Sequence, residues 1–249
     1  MRNSPYGITL RCLFAATLLL LTTITTAQAL LTGSSYTQNF NALGSSGTAA
    51  LPAGFRIGTE WGAGTTATTQ AAGTTGTGVL TGSNSGGAYN FANGVTASST
   101  DRAIGFLNSG SYTSPRSIIL RIDNNTGATI TALTVAFDYE KYRSGSRAWN
   151  WNFFHGSTST ASTAAAAGDQ AFAADANNTV IFNPPTTTSK SVSLTGLSIA
   201  NGGSYYLRWA LTGNGGSTNG QALGIDNVSI TVPPPPLPVP LATFTQLTT

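Results

Sequence analysis

From Leu133 the chain runs Leu-Thr-Val-Ala-Phe-Asp-Tyr-Glu. Leu133, Val135, Phe137 and Tyr139 share one parity; Thr134, Ala136, Asp138 and Glu140 share the other. Side chains of a strand alternate between faces, so this pattern describes a strand with one buried side and one wetted side. It excludes a helix there, because a helix would need apolar residues three and four apart. The same kind of run recurs along the chain, punctuated by Gly, Asn and Ser. Candidate strands are Tyr36–Phe40, Phe55–Ile57, Gly78-Val79-Leu80, Ala88–Phe91, Arg102–Leu107, Ser117–Asp123, Ile130–Glu140, Trp149–Phe154, Val180–Phe182, Lys190–Leu194, Tyr205–Ala210 and Leu223–Val232. No helical segments alternate with them, so a parallel α/β sheet is excluded. The expected fold is all-β: a two-sheet antiparallel β-sandwich, jelly-roll-like, in which the first and last strands pair. Asn124-Asn125-Thr126-Gly127 carries turn chemistry between two strong runs, so Ser117–Asp123 and Ile130–Glu140 are expected to form a hairpin. The alanine-rich stretch Ala161–Ala176, interrupted by Gly168 and Asp169, reads as loop with one helical turn.

The N-terminus has a different character. Arg2 and Arg11 precede the apolar run Cys12–Leu21, which is too short for the about 20 residues that a bilayer span needs. Ala27-Gln28-Ala29 supplies small residues at cleavage positions, so residues 1–29 read as a signal peptide. Residues 30–232 then form the sandwich, and residues 233–249 a proline-rich extended tail. The mature chain is expected to have no membrane span and to be secreted or placed at a bacterial cell surface. Cys12, the sole cysteine, lies in the leader, so no internal disulfide follows.

The whole chain carries a formal charge of +3. Arg2 and Arg11 belong to the leader, and without them nine basic residues face eight acidic ones. With no basic cluster either, an electrostatic grip on nucleic acid is excluded. His155 is the only histidine, which rules out a histidine-built metal centre. No nucleophile-elbow, phosphate-loop or dinucleotide motif is present.

Two constellations stand out by residue type. Trp149, Trp151 and Phe153 share one face of a strand, and Asn150 and Asn152 the other. Exposed rings stack on sugars and amides bond hydroxyls, so this strand, rimmed by Arg143 with Tyr142 and Arg147, is a candidate polysaccharide or surface-glycan site. The same rings would equally serve as core. Asp138 and Glu140 project from one strand face, the arrangement of a paired-carboxylate glycoside hydrolase. Ala136 occupies the preceding position, where a third acid would complete that pattern.

Several segments also carry a resemblance: Tyr36–Asn41, Asp101–Phe106, Asn124–Ile130, Tyr139–Arg143 and Ala222–Ile230. Over roughly Leu30 to Val232 the chain resembles a functionally uncharacterised family of exported bacterial jelly-roll-like β-sandwich domains of the kind found in Bacteroidetes surface proteins. The tail from Pro236 is similar to the linker before a type IX secretion sorting domain, with Pro240 where an acidic residue is usual. The family implies export and a fold, not a reaction. Likeness of Ile225-Asp226-Asn227-Val228 to calcium-stabilised carbohydrate-binding sandwiches implies a structural calcium on Asp226, with oxygens from Asn39 or Asn41; no other cofactor is expected. The expected function is a non-catalytic secreted or cell-surface module, glycan-binding or adhesion-related. The alternatives are a glycoside hydrolase using Asp138 and Glu140, or a passive structural accessory domain.

Overall fold

The computed structural model describes residues 28–44, 48–61, 69–72, 86–92, 100–108, 116–176, 180–213 and 220–234. The leader through residue 27, the expected strand Gly78-Val79-Leu80 and the tail beyond Pro234 lie outside them. In chain order the strands are β1 (Ala29–Leu31), β2 (Ser35–Gln38), β3 (Thr48–Ala50), β4 (Phe55–Ile57), β5 (Thr69–Ala72), β6 (Gly87–Ala92), β7 (Arg102–Leu107), β8 (Ser117–Asn124), β9 (Leu133–Arg143), β10 (Trp149–Gly156), β11 (Thr163–Ala164), β12 (Gln170–Phe172), β13 (Ile181–Leu194), β14 (Ser204–Gly213) and β15 (Ala222–Thr231). One sheet runs β1-β8-β14-β10-β11, with β4 also on β8 and β12 also on β10. The other runs β13-β9-β15-β7-β6-β5-β3, with β2 also on β15. Two pairings, β1 with β8 and β5 with β6, are parallel; the rest are antiparallel. The fold is thus a two-sheet β-sandwich, and an early strand, β2, pairs with the last one.

The alternation read along β9 is what the sandwich buries. Leu133, Val135, Phe137 and Tyr139 are each 2% exposed or less and face the opposite sheet. Phe137 meets Trp209 edge-on at 5.4 Å and Phe153 at 5.1 Å, and Tyr139 stacks on Trp151 at 5.6 Å. The Tyr139 hydroxyl donates to the Gly168 carbonyl at 2.8 Å, which satisfies its one polar group in the core.

Three expectations change. The hairpin of Ser117–Asp123 with Ile130–Glu140 does not form. β8 belongs to one sheet and β9 to the other, so the turn after Asn124 crosses between layers. Each strand has an apolar face, and stacking the two faces buries both, which a side-by-side hairpin would not. Asn124 holds this corner: its amide donates to the Ala128 and Ile199 carbonyls, both at 2.8 Å. The strand read over Tyr36–Phe40 ends at Gln38. The Gln38 side-chain oxygen takes the Phe40 N–H and the Asn39 oxygen takes the Asn41 N–H, and such local bonds compete with the ladder. Phe40 adopts a left-handed φ of 55° and turns its buried ring onto Phe55. Val180–Phe182 and Lys190–Leu194 join in one strand, β13, through a register shift at Pro184-Pro185. Ala29, the last residue of the expected leader, lies in β1 and is 2% exposed. The alanine-rich stretch forms a short 3-10 turn, Ala166–Gly168, between β11 and β12.

Candidate functional site

The aromatic strand turns its rings inward. Trp149 is 1% exposed and Trp151 0%. Trp151 lies against Tyr139 and Phe106, and the Arg116 guanidinium sits 4.6 Å from the Trp149 ring. The sugar-stacking face expected of these two tryptophans is therefore not on the surface. Asn150 and Asn152 do reach the outside, but on the opposite side of the sheet, as period-two geometry demands. Asn152 is held there by Asp169 and Thr212. Arg143 is on the other sheet, at the end of β9, and 1% exposed. The five residues do not form one groove.

The outer face of the β9 sheet is more informative. Across it run two rows set by the strand register. Glu140, Gly224, Gly105 and Tyr89 lie side by side, and Asp138 lies beside Asp226. The glycines are needed where they are. A Cβ on Gly105 would come within 2.1 Å of the Leu223 carbonyl oxygen and 2.5 Å of Gly224 Cα. Phe91 leans over Gly224 and stacks on Tyr142 at 4.7 Å. With Ala103, Leu107 and Ala222 these rings form a second, smaller apolar cluster outside the main core. The outer face is thus covered here, and Glu140, expected on a wetted side, is 5% exposed.

Two carboxyls are caught beneath that cover. Burial raises Glu140 from 4.5 to about 7; the Tyr142 hydroxyl, which donates to Glu140 Oε2, works against this, while the charges of Asp101 and Asp138 add to it. Burial raises Asp226 from 3.8 to about 8; the Asn227 backbone N–H opposes, and Glu140, Asp101 and Asp138 reinforce. No cation contributes to either shift. Cross-strand neighbours on one face place their Cβ atoms about 5 Å apart. Asp138 and Asp226 are such a pair, and the Asn227 side chain donates to Asp138 Oδ2 at 3.0 Å.

Asp226 is 1% exposed, and its Oδ1 has no hydrogen-bond partner among the described residues. An orphaned buried carboxylate oxygen is a position where a cation would fit. Asn39 and Asn41 each use their side-chain oxygen once, for the Asn41 and Arg102 backbone N–H groups, which leaves each a second lone pair. Among the described residues no three His, Cys, Asp or Glu side chains converge on a point that a metal could occupy. A cation at Asp226 would draw its other ligands from amide and carbonyl oxygens.

The two described hollows are elsewhere. One, of about 430 Å³, lies where β2 meets β15 and is lined by Thr37, Gln38, Asn39, Asn227, Val228 and Ser229. The other, of about 590 Å³, lies beside Ile130 and the start of the tail at Pro233 and Pro234. Neither is lined by an ionisable side chain. His155, through Nδ1, bonds the Tyr205 hydroxyl at 2.6 Å, and burial lowers its pKa.

Reasoning from sequence missed the covered glycine row and the burial of Glu140. The pair Gly105 and Gly224 was visible as letters, but only the register sets them side by side. Among the described residues no helix is long and apolar enough to cross a membrane.

No family model and no curated protein matches the chain. Among solved structures, the K1 cleaved adhesin domain of Lys-gingipain from Porphyromonas gingivalis W83 aligns at 14% identity over 81% of this chain and 100% of that one, with a TM-score of 0.37. The K3 cleaved adhesin domain of the same protein aligns at 15% identity over 53% and 74%, with a TM-score of 0.35. An Arthrobacter globiformis isomalto-dextranase complexed with panose aligns at 8% identity over 82% of this chain and 33% of that one, with a TM-score of 0.32. Likeness this distant bears on neither ligand nor activity.

Proposed function

We propose that the chain is a non-catalytic module of a secreted or cell-surface bacterial protein, one that holds a glycan or a surface and does not transform it. One observation carries this reading: the carboxyls with the protonation behaviour of a catalytic acid, Glu140 and Asp226, are 5% and 1% exposed, with Phe91 stacked on Tyr142 over the glycine row beside them. A glycosidase needs a sugar ring between its two carboxyl groups; of the pair Asp138 and Glu140, Glu140 is withdrawn from solvent and its carboxyl is engaged by the Tyr142 hydroxyl. The open hollows carry neutral amides, hydroxyls and apolar groups, which suit holding more than proton transfer. The test is reducing-end release from mixed polysaccharides by wild type and by Glu140→Gln. No release by either is expected; release by wild type that Glu140→Gln abolishes would restore the hydrolase reading.

The orphaned Asp226 Oδ1 favours one addition, a calcium ion at Asp226 that stabilises the fold. Calcium takes six to eight oxygens, and Asn39 and Asn41 are the side chains nearest in kind. Titration calorimetry with calcium should show heat that Asp226→Asn removes. No heat, together with a melting temperature unmoved by chelator, would dismiss the ion.

A further inference from the structure

Along one side of β15 the neighbouring strand changes. β7 pairs with it as far as Ile225 and β2 takes over from Val228, while β9 lies along the other side. Asp226 and Asn227 fall at this exchange, where the register with β9 also shifts. Asn227 takes up the bulge with a left-handed φ of 50°, a conformation asparagine tolerates better than most residues. β7 itself starts by giving the Arg102 N–H to the Asn41 side chain rather than to β15. The step between the two partner strands is left open, and the hollow of about 430 Å³ lined by Thr37, Gln38, Asn39, Asn227, Val228 and Ser229 lies there.

Tyr36, Val228 and Ile230 pack on the core, so Thr37 and Ser229, paired across the strands, point outward. One step further along, Asn39 and Asn227 come opposite each other. Thr37, Asn39 and Asn227 are exposed and Ser229 is half-buried. Their remaining hydrogen-bonding groups are complementary. Asn227 donates its amide to Asp138 Oδ2, which leaves its Oδ1 as an acceptor. Asn39 accepts the Asn41 N–H on Oδ1, which leaves its Nδ2 as a donor. The Thr37 and Ser229 hydroxyls have no partner among the described residues, and each can give and take. Gln38 is occupied by the Phe40 N–H. The ionisable groups on the adjoining segments are four acids, Asp101, Asp138, Glu140 and Asp226, and one base, Arg102, which is 1% exposed. An anionic ligand would meet no accessible cation here. Beyond Thr37 and Ser229 the next outward row is again neutral hydroxyls, Ser35, Thr231 and Thr134.

We propose that this hollow seats one sugar residue of a neutral polysaccharide, a vicinal diol bridging Asn39 Nδ2 and Asn227 Oδ1; the assignment rests on the binding-module reading above and gives it a site and a ligand class. Two adjacent sugar hydroxyls present an acceptor and a donor side by side, which the two amides match, and the Thr37 and Ser229 hydroxyls take the next ones along. Cross-strand pairs stand about 5 Å apart and successive outward positions on one strand about 7 Å, the scale of one pyranose ring. The hydroxyl row beyond gives the flanking sugars an uncharged surface to lie on. No aromatic ring lines the hollow, so a single sugar is held weakly and the polymer is the ligand to test.

The test is native electrophoresis of the full chain through gels containing dextran, galactomannan or pullulan. At least one should retard the protein, and added salt should leave the retardation unchanged, because no ion pair is made. The same polymer, after periodate cleavage of its diols and borohydride reduction, should no longer retard it. Asn227→Gly keeps the left-handed backbone and removes the amide; Thr37→Val keeps the shape and strand preference and removes the hydroxyl. Each should weaken binding about fivefold, the worth of one neutral hydrogen bond, and the double variant should lose it. Asn150→Ala, which removes an exposed amide on the other sheet, should leave it unchanged. Nuclear magnetic resonance of the wild-type protein gives a readout that does not depend on a variant folding: an oligosaccharide of the retarding polymer should shift the Asn39 side-chain amide signal. Absence of retardation by all three polymers, retardation that survives periodate, a double variant that binds like wild type, or an unshifted Asn39 amide would overturn the proposal. Binding that persists in the double variant would leave the broader module reading in place; that reading fails separately, if the wild type cleaves the polymer.

Discussion

Replacing Glu140 by Gln should make the domain more stable at pH 8 and leave it nearly unchanged at pH 4. The fold raises Glu140 from 4.5 to about 7, chiefly by burial. The folded chain therefore keeps a proton that the unfolded chain releases above 4.5. Stability falls with rising pH wherever the folded state binds more protons. The contribution of protonated Glu140 is fully present below 4.5 and is lost as the pH climbs through about 7. At 1.36 kcal/mol per pH unit the loss is about 3 kcal/mol, a large part of the 5–15 kcal/mol typical of a domain. Gln cannot ionise, is nearly the same shape, and retains an oxygen for the Tyr142 hydroxyl, so it should abolish this loss. Asp226, raised from 3.8 to about 8, acts in the same direction up to the higher pH. His155 acts oppositely: burial lowers its pKa, so it favours the neutral ring and costs stability as the pH falls below 6.5. Urea unfolding of both proteins from pH 4 to pH 9, read as the difference between them, cancels the His155 contribution. A difference that stays flat across this range would show that Glu140 is not held protonated. If calcium occupies Asp226, adding it at pH 8 should restore stability to wild type and not to Asp226→Asn.

Further outcomes follow from the same packing. Trp61, Trp149, Trp151 and Trp209 are all 8% exposed or less, so fluorescence should be blue-shifted and resist acrylamide quenching; efficient quenching would put tryptophans back on the surface. Val135→Asp places an unpaired charge at a position 0% exposed and should unfold the domain, seen as loss of the cooperative thermal transition. Trp151→Ala should cost about 3–5 kcal/mol by the usual cavity cost, measured by denaturant titration. Gly105→Ala should destabilise strongly in the same titration, since its methyl would meet the Leu223 carbonyl at 2.1 Å. Mass spectrometry of exported protein should find a mature start at Gln28, which keeps the buried Ala29 in β1; a start at Leu30 would contradict it.

Period-two patterning alone established the sandwich, the inward face of β9 and the absence of helical layers, because alternation is a local property of the backbone. It also separated the tryptophans from Asn150 and Asn152, although the letters do not say which of the two faces meets the core. Asp226 could be singled out by resemblance, and Asp138 and Glu140 by their spacing on one strand face; that the three are neighbours could not, since the two strands lie more than eighty residues apart. What tertiary structure decided is adjacency. Backbone donors and acceptors are the same on every strand, so nothing local says whether β8 pairs with β9 or stacks above it. Nor could alternation foresee that Phe91 and Tyr142 would roof the outer face, drive Glu140 and Asp226 out of water and so change their protonation. Burial of that kind comes from atoms distant in sequence, and it exists only once both sheets are assembled.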